Sequence, residues 1–295
     1  MEIEFLKMQG CGDDSILLRA AQLPPGFDSE LPAVARKMLD RRFGVGANTL
    51  IFMGAMEETG LFARGFDAAG EEPPLPCHAA RCVARYASDS GAAGGQDFMV
   101  QTSDSRMRVQ IIDSTNVRVD MGMPMASETR AEITEKPSES FTKNLLVDGK
   151  NVSYTPISLG RSYAMFFLPD LAFPLNRTAR HIAEQPDFPA LTGIGFVQVY
   201  NREQLRLRAW EAEGDTPGDE CACAAAALVA SVVNGFTDRE VFIHLRGGDV
   251  FLQWDEADNH LWLTGPAVYV FTGTYDYEPP AARGAAAGPG EAAKG

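Results

Sequence analysis

Positive charge is scarce in this chain. Its 295 residues hold 26 lysines and arginines against 40 aspartates and glutamates, a formal net charge of −14. A protein that grips nucleic acid needs a basic face to neutralise phosphates, so nucleic-acid binding is not expected. Long apolar runs are missing too. No stretch approaches the ~18 residues that cross a membrane as a helix, so no membrane span is expected. The start, Met1-Glu2-Ile3-Glu4, lacks the basic and apolar regions of a signal peptide. Five cysteines are too few and too uneven for a disulfide scaffold, so a reducing cytoplasm is the expected setting. Histidine is rare at four residues, and Cys77, His78 and Cys82 do not make a zinc spacing. Cys221-Ala222-Cys223 alone is a weak metal signal, and no phosphate-loop lysine follows the glycine pairs at Gly46 and Gly195. No metal site is therefore expected.

What the chain does have is a cysteine placed where a helix should begin. Acidic and proline-rich residues, Glu71-Glu72-Pro73-Pro74-Leu75-Pro76, lead into Cys77-His78-Ala79-Ala80-Arg81-Cys82-Val83-Ala84. Proline cannot continue a helix or a central strand, and helical spacing of Ala80, Val83, Ala84 and Ala87 begins just after it. Cys77 is thus expected at a helix N-terminus, where free N–H groups and the macrodipole lower a thiol's pKa and attract an anion. Cys223-Ala224-Ala225-Ala226-Ala227-Leu228-Val229-Ala230 repeats the pattern at the cysteine, two alanines, the valine and the last alanine.

The repetition extends to the whole chain. Strands expected at 3–8, 15–18, 49–53 and 61–66, with a helix at 31–42, precede the Cys77 helix; three strands at 98–121 follow it. In the second half, strands at 164–168, 196–200 and 205–210, with a helix at 174–184, precede the Cys223 helix; strands at 240–246, 249–254 and 260–264 follow. The sequence therefore reads as a duplication of one α/β unit, which would set two helix starts face to face over one cleft. The expected units are residues 1–128 and 129–277, with a low-complexity, disordered tail at 278–295.

This layout resembles the diaminopimelate epimerase family up to about residue 277. The resemblance rests on Phe5-Leu6-Lys7-Met8-Gln9-Gly10-Cys11-Gly12-Asp13-Asp14, Arg42-Phe43-Gly44-Val45-Gly46 and Arg81-Cys82-Val83-Ala84-Arg85-Tyr86, then Val119-Asp120-Met121-Gly122-Met123-Pro124. The second half contributes Gly195-Phe196-Val197-Gln198-Val199, Leu207-Arg208-Ala209-Trp210-Glu211 and Thr264-Gly265-Pro266-Ala267-Val268. It implies an α+β fold of two similar domains, each a mixed sheet wrapped around a central helix, with the active site between them. It also implies a cytoplasmic amino-acid epimerase or racemase of lysine biosynthesis that needs no cofactor and takes a small amino-acid substrate. A homodimer remains open.

In that chemistry one thiolate removes the α-proton and a thiol opposite returns one. Cys77 and Cys223 are the expected pair, with Cys221 as the alternative thiol and Glu211 as polar support. The family's first motif, Cys-Gly-Asn-Gly-x-Arg-Cys, laid back from Arg81-Cys82 without a gap, puts its catalytic cysteine on Pro76; one gap restores Cys77. Its second, Ala-Cys-Gly-Ser/Thr-Gly, counted from Trp210-Glu211, puts its cysteine on Glu220; a three-residue insertion restores Cys223. Substrate positions fall on Asp13, Asp67, His78 and Arg161, and the family's arginine after Glu211 is Ala212 here. Two other readings stay open, a binding or regulatory protein on the same scaffold and a different isomerase using Glu220 as base. Cys82 is expected in packing, and Cys11 as an inert turn residue.

Overall fold

The computed structural model describes residues 1–56, 60–126, 133, 142–189, 192–210 and 220–278. The first half runs β1 (Glu2–Gly10), β2 (Asp13–Arg19), α1 (Leu31–Met38), β3 (Thr49–Met56) and β4 (Gly60–Phe66). It continues with α2 (Cys77–Asp89), β5 (Asp97–Gln101), β6 (Arg106–Ile111) and β7 (Asn116–Asp120). A two-residue strand β8 (Met125–Ala126) and then β9 (Lys143–Val147) lead to the second half. That half runs β10 (Lys150–Leu159), β11 (Arg161–Phe167), α3 (Leu175–Ala183), β12 (Gly193–Asn201) and β13 (Gln204–Trp210). Then come α4 (Glu220–Val233), β14 (Glu240–Leu245), β15 (Gly248–Trp254), β16 (Leu261–Pro266) and β17 (Val268–Asp276).

The two halves share one wiring pattern. From β1 to β7 the neighbouring pairs are antiparallel, parallel, antiparallel, parallel, antiparallel, antiparallel. From β10 to β16 the series is the same. In each half the parallel pairs are those bridged by a helix, because a parallel connection needs a crossover. β7 pairs antiparallel with β16, which sews the two halves into one continuous ladder. Each half also lends a strand to the other: β8 pairs with β10, and β17 with β1. The duplication read from the sequence is present in the backbone.

Period-two alternation in the strands sorts side chains into separate cores. On β2 and β3, Leu17 and Ile51 face the central core around α2, whereas Ile16, Leu18, Leu50 and Phe52 face an outer core with α1. On β11 and β12, Met165 and Val197 face inward, whereas Ala164, Phe166, Ile194 and Phe196 pack with α3. Helices α2 and α4 both lie within the single central core, so each is wrapped by the sheet of its own half. A helix surrounded on all sides must be apolar or small all round. α4 meets this demand with Cys221–Ala230 buried without a break.

Helix ends follow local chemistry. Pro76, in an extended conformation, caps α2, and proline cannot be preceded by more helix. α4 stops at Gly235, whose left-handed φ of 73° suits glycine. α1 is shorter than the spacing suggested, because the Asp40 carboxylate accepts the Arg42 and Phe43 N–H groups and closes a turn there. Two features escaped the sequence reading: the β9–β10 hairpin, turned at Asp148-Gly149, and the exposed strand β17. The expected domain boundary at 128/129 lies outside the described residues, as does the tail beyond Glu278. No helix among the described residues is long and apolar enough to cross a membrane.

Candidate active site

The two central helices begin close together, and the residue that joins them is Arg81. This side chain, wholly buried one turn into α2, donates through Nη1 to Cys77 Sγ at 3.3 Å and to Cys221 Sγ at 3.4 Å. Its Nε donates to the Pro266 carbonyl on β16 at 3.1 Å. Thus a guanidinium from the first half holds a thiol of its own helix, a thiol of the other helix and the backbone of the other half. The arginine passes through a slot made by glycine. A Cβ on Gly10 would stand 2.8 Å from Arg81 Nη2 and 2.9 Å from the Pro266 carbonyl. Both distances are below contact, so this position tolerates only glycine while Arg81 is in place.

Through Arg81 it is Cys221, the alternative thiol of the sequence reading, that is joined to Cys77. Helix geometry separates it from Cys223. At 3.6 residues per turn, side chains two apart point to nearly opposite sides of a helix, so the two cysteines cannot both face α2. Cys223 turns into its own half: a Cβ on Gly195 would lie 3.0 Å from its Sγ and 2.5 Å from Met165 Sδ. It packs there against β11 and β12.

Around the two sulfurs stand further groups from both halves. His78 follows Cys77 and is buried; its Nδ1 lies 3.9 Å from Asp13 Oδ2, and among the described residues neither ring nitrogen makes a hydrogen bond. Burial, with the neighbouring Arg81 charge adding to it, pushes the imidazole down to about 3 against the pull of Asp14, so it is neutral at ordinary pH. Asp13 sits in the β1–β2 turn and accepts from Asn48 Nδ2 at 3.0 Å. Glu220, the first residue of α4, is buried and close enough to Cys11 for their charges to interact. Cys11 joins this group, which the sequence reading missed; its left-handed φ of 58° signals a constrained turn. Burial, against the pull of Arg81, pushes the Cys11 thiol up to about 12, so it stays protonated. The same cause holds Cys82 up at about 12, in keeping with a packing role.

Next to this cluster, a second set of charges fixes the turn that carries Asp13. Lys7 Nζ pairs with Asp14 Oδ2 at 2.7 Å and also donates to the Gly46 carbonyl; Arg41 Nη2 meets Asp14 Oδ1 at 2.7 Å. Burial raises the Asp14 carboxyl, but the Arg41 and Lys7 bonds outweigh it and keep it below its ordinary value. The remaining sequence candidates lie apart. Asp67 closes its own turn, accepting the Ala69 and Glu71 N–H groups at 2.9 and 2.8 Å. Arg161 is exposed at the start of β11. Glu211 lies outside the described residues. Among the described residues no cluster of His, Cys, Asp and Glu has the arrangement of a metal site.

Comparison with known proteins agrees with this architecture. A family model described as diaminopimelate epimerase matches residues 157–270. The chain is 35% identical over 282 residues to the diaminopimelate epimerase of Moorella thermoacetica, covering 92% of this chain and 99% of that one. Among solved structures it resembles a phenazine biosynthesis protein of the PhzF family from Bacillus anthracis, with a TM-score of 0.64 at 14% identity. That match covers 94% of this chain and 100% of the other. It also resembles a hydroxyproline epimerase from Agrobacterium vitis with bound trans-4-hydroxy-L-proline, with a TM-score of 0.62 at 14% identity over 92% of each chain. At such identity these two structures speak to the fold.

Proposed function

The chain belongs to the diaminopimelate epimerase family, and from that premise we propose that it is a cofactor-independent amino-acid epimerase whose two acid–base groups are Cys77 and Cys221. One observation carries the reading: sulfurs from the starts of two matching helices meet at a single guanidinium nitrogen. An α-carbon between them would present its hydrogen to one sulfur. As the thiolate takes that proton, the electron pair stays on carbon and spreads into the adjacent carboxylate. The thiol on the other face then gives its proton to carbon, and the configuration inverts. At the start of α2 and α4 the first N–H groups have no partner within the helix, so they are suited to hold the substrate carboxylate as charge builds on it. Both sulfurs are buried, at 2% and 0% exposure, and exclusion of water strengthens each of these charge interactions.

We place the reaction on a free small molecule in the cytoplasm, with no nucleic acid and no membrane involved, in line with the acidic composition. The test is to incubate the enzyme with diaminopimelate, proline, hydroxyproline and other amino acids in deuterated water. Deuterium at the α-carbon together with inversion is the expected result. No exchange with any of them would overturn the reading.

A second reading is favoured by Glu220. It is a buried carboxylate at the first position of α4, next to Cys221 in the chain and near enough to Cys11 to raise its pKa. An isomerase that uses Glu220 as its base would keep its turnover in the Cys221→Ala variant and lose it in Glu220→Gln.

A further inference from the structure

Arg81 poses a charge problem whose solution defines the resting state of the site. A guanidinium is charged at any working pH. Burying one without a counter-charge is strongly unfavourable. Yet among the described residues Arg81 has no carboxylate partner. Its bonds run to the Pro266 carbonyl and to the sulfurs of Cys77 and Cys221, and Nη2 makes none. A neutral thiol accepts a hydrogen bond only weakly, whereas a thiolate is a full negative charge.

We propose that Arg81 is a positioning residue that holds one of the two sulfurs, Cys77 or Cys221, as a thiolate and leaves the other a thiol, so that the pair rests as one base and one acid. One buried cation balances one anion. Two thiolates on one nitrogen would leave an excess negative charge, and two thiols would leave the cation unpaired. The arrangement is also indifferent to which sulfur carries the charge, as a reaction that runs in both directions requires. Arg81 never touches the substrate in this scheme; it acts through the sulfurs. The inference rests on the reading of Cys77 and Cys221 as the acid–base pair, but its test does not need turnover.

The surrounding groups are consistent with this. Burial works against the Arg81 charge, and the neighbouring Cys221 and Cys77 sulfurs outweigh it. From α2 come His78, neutral as described, and Cys82, held protonated by burial; from the β1–β2 turn come Cys11 and Asp13, and from α4 comes Glu220. None of them donates a positive charge to the sulfurs. If Arg81 is removed, the cation bonded to both sulfurs is lost and only the weaker field of the helix N-termini remains on the side of a thiolate.

Thiolate absorbance in the ultraviolet, recorded against pH on the intact protein, tests the proposal without requiring a reagent to reach the buried sulfurs. The wild-type chain, after subtraction of the Cys77→Ala/Cys221→Ala double variant, is expected to show one thiolate well below the ordinary thiol value of about 8.5. In Arg81→Met that step moves up by about 1–3 pH units, the usual effect of one adjacent opposite charge, while Arg81→Lys retains most of it. Circular dichroism establishes that the variants are folded; should Arg81→Met fail to fold, the wild-type titration and Arg81→Lys decide the matter. A wild-type curve with no thiolate below the ordinary value, or with two, overturns the proposal, as does a folded Arg81→Met with an unmoved step. A low-pH thiolate in a protein that exchanges no α-proton would sink the epimerase reading and leave the role of Arg81 standing.

Discussion

The starts of α2 and α4 occupy matching places in two copies of one backbone, yet they are chemically unlike. α2 opens Cys77-His78-Ala79-Ala80-Arg81 and carries the buried cation; α4 opens Glu220-Cys221-Ala222-Cys223-Ala224 and continues with uncharged residues, all apolar but Ser231. The shared backbone accounts for a sulfur at each helix start. The unequal side chains account for the link between the two sulfurs, because among the described residues the guanidinium bonded to both comes from α2. A symmetrical frame thus supplies two opposed positions, and a single asymmetric residue couples them.

The comparison is broken most sharply at the sulfurs. Replacing either Cys77 or Cys221 with alanine is expected to lower α-proton exchange by about 10²–10⁴-fold, the usual contribution of a positioned acid or base. Cys223→Ala should leave exchange within a few-fold of wild type. Equal losses in all three variants would mean that α4 offers its thiols interchangeably, against the geometry.

The two halves also differ where their inner strands meet the helices. The register that pairs Leu17 with Ile51 in the first half pairs Met165 with Gly195 in the second. Cys223 and Met165 fill the space that a side chain would take. Gly195→Val should cost about 1–3 kcal/mol of stability by overpacking, read from denaturant midpoints. Full stability in that variant would show that Cys223 does not sit where it is described.

Buried His78 has no counterpart at the start of α4, and it predicts a pH dependence. Its folded-state pKa of about 3 lies below the ordinary 6.5, so the unfolded chain binds the extra proton. Its contribution to stability is complete above 6.5 and is lost as pH falls from there toward 3. Between neutrality and about pH 5 the wild-type protein should lose on the order of 1–2 kcal/mol more than His78→Gln does. Identical pH profiles would remove His78 from the buried cluster. The smallest effect is expected at the seam of the halves. There His260 Nδ1 meets Asp120 at 2.8 Å, and the hydrogen bond to that carboxylate, against burial, raises the imidazole above its ordinary value. This stability is present below the ordinary histidine pKa and lost as pH rises through the raised one. On a partly exposed pair it amounts to a few tenths of a kcal/mol, visible as a reduced acid-side midpoint in His260→Ala.

The duplication, the two domains and the identity of both central helices were legible in the sequence because strand alternation and helix spacing are local signals, and both halves carry them in the same order. Strand β17 was missed because neither of its faces is cleanly buried; Val268, Tyr269, Val270 and Phe271 are all part-exposed. The β9–β10 hairpin was missed although Asp148-Gly149 is an ordinary turn signal. At the site, the sequence candidates Cys77, His78 and Asp13 lie close together, whereas Asp67 and Arg161 lie apart. Matching the alanines after Cys223 to those after Cys77 fixed composition and not rotation about the helix axis, so it could not say which α4 thiol Arg81 reaches. Arg81 was visible as a family landmark, but nothing local says that a guanidinium will find two sulfurs 4 and 140 residues away. That is a property of how the halves close on each other.

The most direct test of this closure is a bridging reaction between the two sulfurs. A dithiol-specific arsenical, applied to the wild-type chain and to the Cys221→Ser and Cys223→Ser variants, should join the peptide carrying Cys77 to the peptide from α4, read by mass spectrometry. The bridge is expected in wild type and in Cys223→Ser, and absent in Cys221→Ser. A bridge that survives in Cys221→Ser and disappears in Cys223→Ser would contradict the account.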